Sequence, residues 1–430
     1  MSVETMEASP ARPAERPKLF TRPIVSWALY DLANTIFSMN IVSLYLSLWV
    51  VNVMGGTDTL WARANSLSMI LLLVSAPFLG AISDQVGRRL PFLLVSTLLC
   101  VSFTALLGVP GLAGTLILFV AANYFFQAGL IFYDSTLSTV STPGNRGRVG
   151  GFGIGVGYIG SLIGVGAGLA LESRYGYIPI FRVTALLFLI FALPIFLFVR
   201  EPKGKSAFRL SGRMFTRAFG QVANTFRQVK HYRGLGRFLI GRAFYADAAN
   251  TLIAFMGIYV TNEIGFSATQ AQVVLLVGIA SAVAGGFVWG RVVDGIGPKR
   301  TLDRVLYVWM VTLLMTVAIP LFGLPGHLFW LVAMLAGIAL GGTWTADRPY
   351  MLTLAPPARI GEFYGLYSMV GRFAAVIGPL LWAFVAEGLG YGRPAAVFAL
   401  FLMVALAYWI LRRVDDAPRA WSARDMGSIE

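Results

Sequence analysis

Long apolar runs recur along this chain, separated by short polar or charged segments. Each run is about 20 residues long, which is the length that a helix needs to cross a hydrocarbon core of ~30 Å. The long polar stretch 200–237 divides the runs six and six, so the pattern predicts an all-α polytopic membrane protein of two six-helix bundles. The predicted spans are 24–50, 64–83, 90–110, 113–140, 149–171, 179–199, 238–260, 270–290, 302–323, 327–354, 361–385 and 393–412.

The segments outside the spans complete the domain organisation. Residues 1–23 are rich in Pro and charge and lack the apolar core of a signal peptide, so we expect a disordered tail there. The N-terminal bundle occupies 24–199, a basic linker 200–237, the C-terminal bundle 238–413 and a second tail 414–430. In the linker, Phe208, Phe215, Phe219 and Phe226 recur at helical spacing among arginines. This spacing predicts an amphipathic helix on the inner membrane surface, with a docking site for a partner as the alternative.

The amino-acid composition further limits the class of protein. Hydrophobic residues make up 57% of the chain and charged residues 13%, against roughly 45–50% and about 25% in soluble domains. A soluble globular protein is therefore excluded. The single cysteine, Cys100, lies in an apolar run, and His231 and His327 are the two histidines. A disulfide framework is excluded and a metal centre lacks ligands, so we expect no cofactor.

The net charge of +14 is distributed unevenly between the two sides of the membrane. Most of the 34 Lys and Arg residues fall in alternate loops, in the linker and in both tails. The other loops hold only Arg63, Arg174, Arg182 and Arg393. The positive-inside rule therefore predicts cytoplasmic termini and a cytoplasmic linker, in the plasma (inner) membrane. This role, together with attraction to anionic lipid, explains the basic excess better than nucleic-acid binding does.

The two halves repeat three polar patterns in the same order. Each pattern falls at an equivalent helix position, which indicates duplication of a six-helix unit. The matched sets are Asp31, Asn34 and Thr35 with Asp247, Asn250 and Thr251; Asp84, Gly87, Arg88 and Arg89 with Asp294, Gly297, Lys299 and Arg300; and Asp134, Pro143, Arg148 and Gly150 with Asp347, Pro356, Arg359 and Gly361.

Three stretches of the chain resemble motifs of a known family. The loop Gly80-Ala-Ile-Ser-Asp84-Gln-Val-Gly87-Arg88-Arg89 resembles the signature of the major facilitator superfamily. Residues 27–34, WALYDLAN, and the Gly-rich stretch 148–160 are similar to its vacuole-effluxer branch, which is related to autophagy-linked amino-acid effluxers. The resemblance implies the twelve-helix major facilitator fold, with helices 1, 4, 7 and 10 lining a central cavity.

Polar residues inside these four spans are candidates for binding a substrate or an ion. A charge in a bilayer costs at least ~2.5–3.5 kcal/mol on the insertion scale, so such residues are rare without a function. We expect the four aspartates to lie at similar depth along one aqueous path. The alternative is a structural role, in which they cap helices or pair with Arg242 and Arg348. The candidates are Asp31, Asn34, Asn123, Gln127, Asp134, Asp247, Asn250, Asp347 and Arg348.

Two residues of this central region have sharper expected roles. No histidine lies deep in a span, so a carboxyl must carry any coupled proton, and Asp134 is the first candidate. Arg372 lies near the middle of predicted helix 11, where the repeat places Ser161 in the other half. A guanidinium suits bidentate binding of a carboxylate or phosphate. The alternative for Arg372 is a buried ion pair with one of the aspartates.

The repeated loops after helices 2 and 8 predict a gate at the cytoplasmic side. Asp84 and Asp294 end these helices and are expected to meet the N-termini of helices 11 and 5, whose dipoles favour an anion. The loop glycines are Gly87 and Gly297, and the loop cations, expected to pair with Glu362 and nearby acids, are Arg88, Arg89, Lys299 and Arg300. The alternative is that these cations only orient the chain.

Nucleotide and enzyme chemistry lack support in the sequence. Gly155, Gly157 and Gly160 spell G-x-G-x-x-G, but no strand precedes them, and no G-x-x-x-x-G-K-[ST] motif exists. No Ser/His/Asp or metal-ligand cluster indicates an enzyme. We expect a secondary transporter of a small polar solute, with an amino acid or related zwitterion as first candidate and protons as coupling ions. Transport of an anionic lipid is the alternative. Membrane lipid is the other expected partner, with no nucleic acid and a monomeric state.

The charge distribution predicts a topology that cysteine labelling can test. In a Cys100→Ala background, cysteines placed at Gly144 and Gly204 should react only with reagents on the cytoplasmic side. A cysteine at Gly326 should react only from outside. The opposite pattern of accessibility would contradict the charge argument.

Overall fold

The computed structural model describes residues 19–201, 232–414 and 421. The expected terminal tails lie almost wholly outside the described residues, and so does the predicted amphipathic helix of the linker. The basic face is defined as the side of the bundle that carries loop 87–89 and the α8–α9 junction at 297–300, and the opposite face is the other side.

The described residues form helices and no strands, which confirms the predicted fold class. Eleven of the helices are long and apolar enough to cross a membrane. The twelfth, α3, has 16 residues and ends before the predicted 110, because the chain turns at Gly108, whose φ is +84°. The helices are α1, Arg22–Val53; α2, Asp58–Val86; α3, Leu90–Ala105; α4, Gly111–Val140; α5, Arg146–Tyr175; α6, Tyr177–Phe198; α7, Leu235–Asn262; α8, Ala268–Ile296; α9, Pro298–Leu321; α10, Phe329–Leu354; α11, Ile360–Ala383; and α12, Gly392–Leu411.

Helix α1 is irregular in a way that the apolar pattern does not predict. Its α-helical start, Arg22–Phe37, continues through a π-helical segment, Ser38–Leu44, and a second one, Trp49–Val53. π-helical turns shift the face that a helix presents to its neighbours. The residues beyond Phe37 therefore depart from the register of the α-helical start.

Aromatic stacking fixes α1 against α4. The ring of Trp27 stacks on Tyr133 with centroids 4.7 Å apart, and Tyr30 stacks on the same ring at 5.0 Å. The Tyr133 hydroxyl donates to the carbonyl oxygen of Trp27 at 3.1 Å. Because Asp31 and Asp134 directly follow Tyr30 and Tyr133, this packing sets where the two carboxylates lie.

The two halves meet along the helix pairs α2–α11 and α5–α8. Glycines line both contacts, and their backbones touch: a Cβ on Gly80 would overlap the carbonyl oxygen of Gly361, and a Cβ on Gly151 would overlap that of Gly286. Small residues allow helices to approach this closely inside a membrane. Both contacts lie in the part of the bundle nearest the basic face, so the halves are closed together there.

This packing predicts different outcomes for two glycines of the same helix. Gly151→Ala should force α5 away from α8 and destabilise the fold by about 1–3 kcal/mol, because neither backbone can yield without separating the halves. Gly166→Ala is the matched control, since its added Cβ meets no atom within 4 Å. Both changes raise helix propensity equally. Thermal unfolding in detergent measures the difference, and equal unfolding midpoints would contradict the predicted contact.

Candidate functional site

A carboxylate of the N-terminal half closes one side of the basic face. Asp84 lies in the last turn of α2, and its side chain accepts hydrogen bonds from the backbone N–H of Gly361 at 2.9 Å and of Glu362 at 2.7 Å. These amides belong to the first turn of α11, where backbone donors have no partner within the helix. The partial positive charge of that helix end also favours the carboxylate. The contact joins the two halves.

The C-terminal half supplies the matching contact at the other pair of helices. Asp294, near the end of α8, accepts hydrogen bonds from the backbone N–H of Gly147 at 2.6 Å and of Arg148 at 3.2 Å. The Arg148 guanidinium adds an ion pair to the same carboxylate at 2.7 Å. The structure therefore brings Asp84 and Asp294 to the helix ends at which the sequence predicts them.

The loop cations differ in part from their expected partners. Arg89 pairs with Asp84 at 3.3 Å, while Lys299 pairs with Asp303, one turn along its own helix, and not with Glu362. Glu362 is bonded by Arg359, whose Nε lies 2.9 Å from the carboxylate.

Glu201 and Gly87 stabilise the loop between α2 and α3. The carboxylate of Glu201 accepts the backbone N–H of Arg89 and of Leu90, each at 2.9 Å, and so caps the start of α3. The sequence patterns do not single out Glu201, whose one signal is that an acid follows the end of a span. Gly87 ends α2 with φ +69°, a conformation that glycine adopts without steric cost. Arg88 in the same loop is exposed.

Nearer the membrane centre, one arginine of the C-terminal half binds two aspartates of the N-terminal half. The Nη1 of Arg348 lies 3.2 Å from Asp31, and its Nε lies 3.1 Å from Asp134. All three side chains are at most 12% exposed. The structural alternative for these two aspartates therefore describes the present conformation: their charge is neutralised by a cation from the other half.

Asp347 lies inside the C-terminal half in this conformation and is paired with Arg242, as the structural alternative predicts. It has no exposed surface and accepts hydrogen bonds from Arg242 at 3.0 Å, Tyr245 at 2.6 Å and Tyr367 at 2.8 Å. The Arg242 guanidinium also lies over the Tyr367 ring at 3.5 Å. All four residues belong to the C-terminal half, so this network holds α7, α10 and α11 together.

Asp247 is the remaining aspartate and has a different environment. It is 1% exposed, and its contacts are neutral: the Thr251 hydroxyl lies 3.5 Å from its Oδ1, and Gly378 of α11 packs against the carboxyl. Its Oδ2 has no hydrogen-bond partner among the described residues. Asn250 is exposed one turn further along α7. On the equivalent helix of the repeat, Asn34 is buried and its amide nitrogen has no described partner.

The polar residues Asn123 and Gln127 of α4 make two different kinds of contact. Asn123 donates to Ser68 at 2.8 Å and to Asn65 at 3.1 Å, both on α2, and so lies inside the N-terminal half. Gln127 instead accepts a hydrogen bond from Arg372, which crosses from α11 of the other half. Within the described part of the chain, no carboxylate lies at salt-bridge distance from Arg372. The ion-pair alternative for Arg372 is therefore not seen among these residues.

The contacts at the basic face predict how the gate responds to mutation. Asp84→Ala or Asp294→Ala removes two charge-assisted hydrogen bonds, worth ~1.5–3 kcal/mol each, so the open fraction should rise at least tenfold. Spin labels on cysteines at Gly144 and Arg304, which are both exposed, report the separation of the halves in a Cys100→Ala background.

Asp303→Ala is the matched control for this experiment. Asp303 is also an acid near the basic face, but its partner Lys299 lies on the same helix, so its loss should not move the labels. Unchanged distances in all three variants would show that Asp84 and Asp294 do not hold the face closed.

Comparison with known proteins agrees with this architecture. A family model described as "Vacuole effluxer Atg22 like" matches residues 57–418. The MFS-type transporter YxiO of Bacillus subtilis is 26% identical over 420 residues, which cover 93% of this chain and 96% of that protein. Autophagy-related protein 22-1 of Aspergillus fumigatus is 21% identical over 304 residues, 63% of this chain and 49% of the longer fungal protein.

Two solved structures share the fold at low sequence identity. The human organic anion transporter MFSD10 has a TM-score of 0.71 and 17% identity, covering 93% of this chain and all of that chain. A bacterial homologue of the iron transporter ferroportin, in an outward-facing state, has a TM-score of 0.72 and 14% identity, covering 92% and 99%. Two repeated six-helix bundles, matching contacts between the halves at the basic face and a family match over most of the sequence lead to one conclusion: the chain belongs to the Atg22-like vacuole effluxer family of major facilitator transporters.

Proposed function

We propose that the protein is a secondary active transporter of a small polar solute, coupled to protons and working by alternating access. The substrate class that we propose is an amino acid or a related zwitterion. The observation that carries this proposal is Arg372, a guanidinium between the two halves whose described partner is the neutral amide of Gln127.

The closed basic face supports alternating access. Asp84, Asp294 and Arg348 each bind a group of the other half, and all three contacts lie between the membrane centre and that face. Towards the opposite face, α7 presents an exposed stripe that begins at Asn250 and continues through Ile253 and Ile258. A transporter closed at one face and open at the other would expose such residues, and the ferroportin homologue with the same fold is in an outward-facing state. With the basic face cytoplasmic, the site opens to the outside of the inner membrane.

The charges around Arg372 favour a solute with two opposite charges. A guanidinium binds a carboxylate through two parallel hydrogen bonds. Asp134 lies on α4, seven residues after Gln127, and its carboxylate is bound by Arg348. A zwitterion brings a carboxylate for Arg372 and an ammonium group for Asp134. Its binding therefore competes with the Arg348 ion pair, which links substrate binding to release of the closed basic face.

An anionic lipid or amphiphile is the second candidate. A phosphate presents the same oxygen geometry to a guanidinium as a carboxylate does. The structural neighbour MFSD10 is described as an organic anion transporter, which favours an anionic group at this position. The two candidates differ in their need for Asp134, since a simple anion has no positive group for it.

Substitutions at Arg372 test the proposal directly. Arg372→Lys loses the planar pair of donors, which should weaken binding about tenfold or more, and Arg372→Ala should abolish it. Ser161→Ala, at the equivalent position of the other half, is the control and should bind normally. Binding of a panel of amino acids is measured as a shift of the melting temperature of purified protein, because a ligand stabilises the folded state.

Transport assays in proteoliposomes separate the two candidate substrates. Amino-acid uptake that is lost in Arg372→Ala and retained in Ser161→Ala supports the proposal. Translocation of a fluorescent anionic lipid that depends on Arg372, without amino-acid uptake, would establish the second candidate. Normal amino-acid affinity in Arg372→Ala would remove this residue from the binding site.

A further inference from the structure

The central aspartates fall into two groups by their partners. Asp31 and Asp134 share Arg348, and Asp347 binds Arg242, so each of these three carboxylates lies beside a guanidinium. Asp247 has no such partner among the described residues, although it is as deeply buried as the others. An isolated ionised carboxylate is very costly away from water, and a carboxyl in such a place takes up a proton instead.

The charged and titratable groups around Asp247 are all engaged or distant. Helix α7 packs against α8, α11 and α12. Arg242 and Tyr245 of α7 bind Asp347, as does Tyr367 of α11, while Arg372 of α11 binds Gln127. The other such groups of these helices lie at or near their ends: Arg237, Tyr259, Arg291, Asp294, Glu362, Tyr364, Arg393 and Tyr408. Within the described residues, no cation is at salt-bridge distance from Asp247.

The repeat explains why this aspartate alone has no arginine. Asp247 is the counterpart of Asp31, and the pairing of Asp134 with Asp347 makes Ser135 the counterpart of Arg348. Arg348 crosses to Asp31, but the Ser135 hydroxyl bonds the carbonyl oxygen of Ile131 in its own helix at 2.6 Å. The N-terminal half therefore sends no cation from this position across to Asp247.

An exposed polar residue lies close to Asp247 in sequence. Asn250, on the next turn of α7 towards the opposite face, is exposed and starts the exposed stripe of that helix. The Thr251 hydroxyl lies beside Asp247, and Gly378 of α11 packs so closely that a Cβ there would overlap both side chains. The carboxyl is thus held at the inner end of the exposed stripe, shielded from bulk water.

We propose that Asp247 is the proton-binding site of this transporter and that it is protonated while the basic face is closed, whereas Asp134 stays ionised beside Arg348. The assignment replaces Asp134 as the first candidate for the proton carrier. It rests on the proposed function only for what the proton drives, since the proton site itself follows from the surroundings of the carboxyl.

Infrared spectroscopy tests the site without any substrate. A protonated carboxyl has a C=O stretching band that disappears when the proton leaves. In pH-difference spectra of the purified protein, we expect such a band at neutral pH in the wild type and in Asp134→Asn, and its loss in Asp247→Asn. Asp247→Glu should retain the band at a shifted frequency, which shows that the position and not a general unfolding is responsible.

A different infrared result would assign the proton to Asp134. A band that persists in Asp247→Asn and disappears in Asp134→Asn would overturn the assignment in favour of Asp134. The melting temperature of each variant is measured alongside. If Asp247→Asn does not fold, Asp247→Glu decides: an unshifted band in that variant contradicts the proposal, because its frequency must follow the geometry of the new carboxyl.

Proteoliposomes then test the coupling. Asp247→Asn should no longer concentrate solute above the equilibrium level under a proton gradient, while solute exchange across the membrane continues, because the amide keeps the shape and loses the proton. Accumulation at the wild-type level would overturn the proposal. Absence of all solute transport in the wild type would instead reject the proposed substrate class, and the infrared result would still decide the proton site.

Discussion

A charge inside the bilayer is stabilised by an opposite charge, a helix N-terminus or a polar group, and in this protein that partner is often in the other half. Asp84 and Asp294 find theirs at helix N-termini across the basic face, and Arg348 finds two carboxylates across the centre. Leaving any of these charges buried and alone is far more costly than keeping the contact. The same interactions that make the charges tolerable therefore also fix the closed conformation, and opening must provide new partners for all of them.

The glycines of the interface make these contacts geometrically possible. A short Asp side chain reaches a backbone N–H of another helix only where the two helices nearly touch. Gly80 and Gly361 let α2 approach α11 beside Asp84, and Gly147 and Gly290 do the same for α5 and α8 beside Asp294. Packing and electrostatics therefore act at the same positions: separating the backbones by the width of a methyl group also breaks the hydrogen bonds.

The structural features that depend on local spacing can be predicted from the sequence. The length of apolar runs predicts the helices, the repeat identifies the equivalent aspartates, and the helix dipole places Asp84 and Asp294. The i, i+4 spacing of Lys299 and Asp303 also encodes their pairing. The partners of Arg348, and the burial of Asp347 among two tyrosines and an arginine, depend on how distant helices meet. No local pattern encodes that, and none marked the π-helical turns of α1.

Three positions at which the repeat is broken supply the cations of the centre. Arg242, Arg348 and Arg372 stand opposite Ser26, Ser135 and Ser161, so the C-terminal half alone adds three cations. With Asp247 protonated, the three ionised aspartates are matched by three arginines, Arg242, Arg348 and Arg372. A zwitterion enters this centre without changing its net charge, whereas an anion would leave it negative and an ionised Asp247 would do the same. Rearranging a neutral centre moves no uncompensated charge through the bilayer, which costs least. The proposed proton at Asp247 and the proposed solute of two opposite charges are therefore consistent with each other.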